Sequence, residues 1–238
     1  MNLPDAYVLR ARVAPVVIIS LPFLIKFAHA LISSNQLPTI VATGIIGLAI
    51  ITLLAQLGRD RGKKLEPMLF QTWGGKPTTA ILRHRDTRLD TVTKSRLHGW
   101  LNQRIDGLHL PDALVELDDP VEADKQYDSA VYWLRSKTAD NQRFARLHEE
   151  NVSYGFRRNL LGLKPLGIIF SILLIFADLV VNQPLTVDKT IDFLSQPSIA
   201  VALFLAVFLI FFVTESWVRN SAEAYAFALF NTVESLSS

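Results

Sequence analysis

Apolar and polar positions fall into long blocks along this chain, and the blocks predict its elements. Thr39–Leu57 carries no charge, follows Pro38 and ends at Arg59, Arg61, Lys63 and Lys64. About 20 residues at a rise of about 1.5 Å each cross a hydrocarbon core of roughly 30 Å, so this stretch is long enough to span a membrane alone. Ile199–Val218 is as long, and its first part, Ile199–Val213, is unbroken apolar sequence. Val13–Ile32 and Pro165–Val181 are also apolar, but the first holds Lys26 and His29 and the second Asp178. The predicted architecture is an all-α membrane protein with two transmembrane helical hairpins flanking a helical cytoplasmic domain. Residues 1–57 form the first hairpin (spans 13–32 and 39–57) and 165–218 the second (spans 165–181 and 199–218). Between them lies the domain 58–164, and residues 219–238 form an amphipathic tail.

Within 58–164, apolar positions recur every three or four residues and β-branched runs are absent, which predicts helices. Leu65–Trp73 ends at Gly74-Gly75, a helix stop. Thr78–His84 and Thr93–Ile105 each open on a threonine suited to an N-cap. Pro120–Lys137 is the most strongly signalled helix: Asp119 caps it, Pro120 fits its first position, Glu122 completes a capping arrangement, and Tyr127, Val131 and Leu134 form its apolar stripe. A further helix is expected over Asp140–Tyr154, with Gly155 as a hinge or break before the third span. In the tail, Ala222, Tyr225, Ala226, Leu229, Val233 and Leu236 share helical spacing, as expected of a segment that packs on the central domain.

Composition sharpens this division. The chain is 50% hydrophobic and 19% charged, and of its 46 formal charges 34 lie between Gly58 and Lys164. Soluble domains average about 25% charged. Lys and Arg collect on one side of the four spans, at Arg10, Arg12, the 58–64 cluster, Arg157, Arg158, Lys164 and Arg219. The other side has the uncharged loop 33–38 and the loop 182–198. Basic residues accumulate on the cytoplasmic side, so both termini and the central domain are expected in the cytoplasm, on an inner (plasma) membrane. A basic start, an apolar run and Ala28-His29-Ala30 also resemble a cleavable signal peptide; Lys26, between run and triplet, favours a retained helix. The net charge of +2 gives no reason to expect nucleic acid, and the absence of cysteine excludes disulfides and thiolate chemistry.

Candidate chemistry is sparse. Lys26 and Asp178 each lie 13 residues beyond the cytoplasmic start of their spans, about 20 Å deep by helix rise; they are expected to form an intramembrane ion pair within a subunit or across a subunit interface, the alternative being that each snorkels to the outer interface. Two patches of opposite charge mark the central domain. The basic one offers Lys76, Arg83, His84 and Arg85 as an anion or partner contact; the acidic one, Asp112, Glu116, Asp118, Asp119, Glu122, Asp124 and Asp128, is a candidate partner surface. Either the two pair within one fold, or they meet a neighbouring subunit, a soluble partner or a small cytosolic ligand. Trp73-Gly74-Gly75-Lys76-Pro77-Thr78-Thr79 is not a phosphate-binding loop, because Phe70 stands at the first glycine position and Pro77 follows the lysine. Glu215 and Arg219 form a helical i,i+4 pair, and Gly44 and Gly47 give another helix room to approach the second span. The histidines show no convincing metal spacing, and no catalytic residue, metal or cofactor is expected.

Arg143-x-x-x-x-His148 resembles the Arg-x4-His pair of HEPN-superfamily ribonucleases, which implies acid/base attack on a phosphodiester. The layout of two spans, a helical domain and two spans is similar to small membrane proteins of bacterial antiviral operons, in which a cytosolic signal controls a membrane-active bundle. The sequence therefore carries three functional expectations. The first is an oligomeric membrane sensor or pore-type effector, in contact with lipid and not an enzyme. The others are a passive anchor for a soluble effector and a membrane-tethered ribonuclease.

Overall fold

The structure is a computed structural model that describes residues 7–34, 37–183 and 186–237, with the side chains of 32–42 and 237 outside the description. It is all-helical, with no strand among the described residues. A π-helical turn, Val8–Val13, leads into α1 (Ala14–Ser34), and α2 runs from Leu37 to Thr72. Four shorter helices follow: α3 (Pro77–Ala80), α4 (Thr91–Arg104), α5 (Ala113–Asp118) and α6 (Pro120–Lys137). Then come α7 (Ala145–Asn182), α8 (Val187–Ser195), α9 (Pro197–Phe211) and α10 (Glu215–Ser237). The expected loop 33–38 falls partly on residues 35–36, and 182–198 partly on 184–185, both outside the described residues.

Among the described residues, three segments are long and apolar enough to cross a membrane: Val8–Leu31, Thr43–Ala80 and Ala145–Asn182. The pair α8 and α9, bent by 72° at their junction, makes a fourth if counted as one span. Their surfaces fit a lipid environment. On α2, Ile45, Leu48 and Leu53 are each about two-thirds exposed, and α9 presents Phe204 and Phe211 outward, as does Phe212 just after it. Such surface left bare on apolar helices is the construction of a membrane protein.

The chain divides into two compact units, Met1–Leu65 with Gly155–Val218, and Glu66–Tyr154 with Arg219–Ser238. In the first, α1 packs on α9 around Val16, Ile19, Leu160, Leu163, Leu205 and Leu209. Gly58 and Gly62 of α2 meet α7 at Leu163, Asn159 and Gly162, where a Cβ on Gly162 would lie 2.7 Å from the Gly62 backbone nitrogen. Small residues permit this backbone approach. The predicted contact residues, Gly44 and Gly47, do not serve it: nothing lies within 4 Å of a Cβ built on either. Asn159, buried, donates from Nδ2 to the Ala11 carbonyl at 2.7 Å, a side-chain partner for backbone inside the π-helical turn.

Several boundaries differ from the sequence pattern. The expected break at Gly155 is absent; α7 passes through it, with Tyr7 and Ala11 filling the space a side chain there would take. Leu65–Trp73 is not a separate helix but belongs to α2 up to Thr72. The helix expected over Thr78–His84 is only the turn Pro77–Ala80, and α4 is capped by Asp90, which accepts from the Thr93 N–H, rather than by Thr93. The expected span 199–218 is interrupted after Phe211: Lys164 Nζ donates to the carbonyls of Ile210 and Val213, ending α9, while the Thr214 hydroxyl accepts from the Trp217 N–H and starts α10. In the second unit, α6 begins on Asp119 and buries Tyr127, Val131 and Leu134. Around them pack Ile81, Leu82, Leu97, Leu101, Phe144 and Leu147, with Ala226, Leu229 and Val233 of α10 completing the core.

Candidate functional site

The polar centre of the second unit begins with a turn. Gly74 and Gly75 adopt φ of +78° and +135°, conformations that glycine takes without steric cost, and close α2 through Gly75 N–H to Phe70 O at 2.7 Å. This shape seats Arg83. Its Nη1 donates to Gly74 O at 2.5 Å, while Nε and Nη2 grip the Asp124 carboxylate at 2.7 and 2.6 Å, a bidentate pair. The hydrogen bonds to Asp124 raise the Arg83 pKa above its ordinary value. Beside it, Lys76 Nζ reaches Asp128 Oδ2 at 2.6 Å and the Thr79 hydroxyl donates to the same carboxylate. These groups line an open cleft of about 310 Å³ with Phe70 and Gln71.

A second cluster lies under the segment that follows α3. Lys94, buried on α4, donates to the carbonyls of Arg83 and Asp86, and burial lowers its pKa. One turn on, His98 faces Leu82 O at 2.9 Å through Nε2, so that nitrogen carries a proton and donates it to the carbonyl. His84 packs edge-on against the ring at 5.1 Å and Tyr127 lies 5.6 Å away. Burial pushes the His98 pKa down to about 4. Glu116 accepts from the Tyr127 hydroxyl at 2.8 Å and the His84 N–H at 2.7 Å. Burial works to raise its pKa, but these bonds outweigh it and hold the group below the usual carboxylate range. Burial, with the bond to Glu116, pushes the Tyr127 phenol upward.

The expected patches therefore meet each other within one unit: Lys76 takes Asp128 and Arg83 takes Asp124. His84 Nε2 donates to Pro111 O at 2.9 Å, and the exposed Arg85 stands 4.0 Å from Glu116. Asp112 and Asp119 cap α5 and α6, and Glu122 pairs with Lys125 at 2.7 Å. Asp118 is exposed. Arg219 turns to Glu223 at 2.8 Å rather than to Glu215, and Glu223 also takes Arg88 at 2.7 Å, tying α10 to the segment before α4. Arg143 lies in the turn before α7, donates to Ser235 O at 2.9 Å and stacks on Phe144; His148 follows within α7. Neither residue lines the cleft.

In the first unit the structure brings Lys26 and Asp178 together: Lys26 Nζ contacts Asp178 Oδ1, with the carboxylate 3% exposed and the lysine 47%. Asp178 Oδ2 is buried without a hydrogen-bond partner among the described residues. Sequence reasoning missed Lys94, His98 and Glu223, and read Tyr127 only as part of an apolar stripe, without its bond to Glu116. Lys94 and His98 stand four apart on α4, a spacing that puts them on one face, but nothing in the sequence says that this face is inward. Among the described residues no group of three metal-binding side chains converges. No protein-family model, curated protein or solved structure matches this chain.

Proposed function

We propose that this chain is a multi-pass inner-membrane protein with four spans, α8 and α9 together making the fourth. Both termini and the Glu66–Tyr154 unit are cytoplasmic, on the side where Lys and Arg collect. That unit receives a soluble partner or small ligand and controls an oligomeric bundle, as a sensor or pore-type effector of the kind that serves antiviral defence.

The observation that carries this reading is the Lys26–Asp178 pair. A charge in hydrocarbon costs several kcal/mol on its own, so such groups face a bundle interior and mark a functional path. Here a buried carboxylate sits between two apolar helices whose other faces are bare hydrocarbon-like surface. Lys26→Ala and Asp178→Asn each remove one charge of this pair.

The test is leakage of a self-quenched dye from liposomes holding the purified protein. The controlled-bundle reading expects the two variants to alter the leak rate at least tenfold relative to the parent chain. Vesicles that stay equally tight with all three proteins refute it and leave the passive-anchor reading, under which spans of unrelated sequence preserve function. A tethered ribonuclease requires RNA cleavage lost in both Arg143→Ala and His148→Ala. The commitment of the Arg143 guanidinium to Ser235 O and Phe144 speaks against that role.

A further inference from the structure

Helix α5 is turned inside out. Its buried residue is Glu116, 4% exposed, whereas Leu114, Val115 and Leu117 are 78, 55 and 77% exposed. Val121 at the start of α6 is 68% exposed. A surface helix ordinarily buries its apolar stripe and leaves its charge in water. The inversion is locked from within: His84 N–H and Tyr127 O–H hold the Glu116 carboxylate, and Asp112 accepts from the N–H groups of Leu114 and Val115 at 2.9 Å each. The unit's own core gains nothing from four aliphatic side chains kept in water, so folding does not account for the arrangement. A partner surface does.

Charge decides which surface. Asp112, Asp118, Asp119 and Glu122 are all exposed, interleaved with these apolar residues along the chain. No Lys or Arg occurs between Arg104 and Lys125. Such a rim repels an anionic lipid surface and attracts a cationic one. We propose that the face formed by Leu114, Val115, Leu117 and Val121 docks a basic amphipathic helix of a soluble protein partner. The apolar stripe of that helix covers these four residues while its Lys and Arg side chains meet Asp118 and Asp119 and compete with Lys125 for Glu122. This names the partner class for the proposed function and rests on that reading only in placing the partner in the cytoplasm.

The chain has no cysteine, so Ala113→Cys carries a single environment-sensitive fluorophore beside the face. The full-length protein in nanodiscs of neutral lipid is titrated with a Leu/Lys amphipathic peptide of about five helical turns. Saturable binding is expected, at least tenfold weaker for Leu114→Ser with Leu117→Ser, for Asp118→Lys with Glu122→Lys, and for a peptide of the same composition with its leucines scattered. Equal affinity across parent and variants overturns the proposal. So does a fluorophore shift produced without peptide, either by phosphatidylglycerol vesicles, which makes the occupant a membrane, or by raising the protein concentration, which makes it a second copy. Labelling of Ala113→Cys in intact cells by a membrane-impermeant maleimide from outside refutes the cytoplasmic placement while leaving the peptide result standing.

Discussion

Acidification to pH 5 weakens the second unit through His98. The ring is buried beside Tyr127 and donates to Leu82 O, and its pKa falls to about 4 against 6.5 for an unperturbed histidine. Between those values the unfolded chain binds a proton that the folded chain refuses. Stability is therefore intact above about pH 6.5, declines as pH falls, and levels off below about pH 4. One proton corresponds to about 1.4 kcal/mol per pH unit at the steepest, which gives about 2 kcal/mol lost between pH 7 and pH 5. Glu116 and Asp86 have pKa values below their ordinary ones of 4.5 and 3.8, so their losses come at lower pH and leave this window to His98. The assay is urea unfolding of the full-length protein in mild non-ionic detergent at pH 7, 6 and 5. It is followed by tryptophan fluorescence, to which the edge-on pair Trp100 and Trp133 contributes. His98→Gln keeps an N–H donor for Leu82 O but does not titrate, so it is less stable at pH 7 and loses about 2 kcal/mol less than the parent on going to pH 5. If parent and variant lose the same amount, the assignment of a buried neutral His98 is wrong.

Three further outcomes follow from the packing. Gly162→Leu drives a side chain into the Gly62 backbone and destabilises the first unit by about 1–3 kcal/mol or more, read as loss of monodisperse protein in detergent, whereas Gly44→Leu is neutral. Lys26→Ala strands the buried Asp178 carboxylate at a cost near the lower end of about 3–5 kcal/mol, because the lysine is half exposed; exchanging Lys26 and Asp178 restores thermal stability that each single reversal removes. Arg83→Ala removes the bidentate bond to Asp124 and the bond to Gly74, lowering the urea midpoint by the equivalent of about 1.5–3 kcal/mol, and Arg83→Lys recovers only part of it.

What could be read along the chain depended on whether a signal was local. Asp119, Pro120 and Glu122 announce α6 within four residues, and its stripe of Tyr127, Val131 and Leu134 needs only helical periodicity. The end of α9 is different: the apolar run continues past Phe211, and what stops the helix is Lys164, some 46 residues earlier in the chain. Gly155 misleads in the opposite direction, since its cost of about 1 kcal/mol in a helix is outweighed by the contact it allows with Tyr7 and Ala11. For the polar centre, the sequence displays two oppositely charged runs but not their pairing, which arises when the Gly74-Gly75 turn brings Arg83 to Asp124. Over six residues, periodicity also leaves the inward side of α5 undecided, and the inward Glu116 follows from tertiary hydrogen bonds alone.

The early stop of α9 also bears on the surroundings of the protein. Fifteen residues of helix reach about 22 Å, against a hydrocarbon thickness of roughly 30 Å. At its other end the chain turns by 72° into α8, which completes the proposed span while adding little length along α9. In the proposed four-span bundle, lipid next to α9 thins to meet it, at a modest cost per ångström of mismatch. Acyl-chain length then becomes a variable to which the fold responds: short-chain lipids relieve the mismatch, and long-chain or sterol-stiffened ones strain the side of the bundle that Lys164 closes.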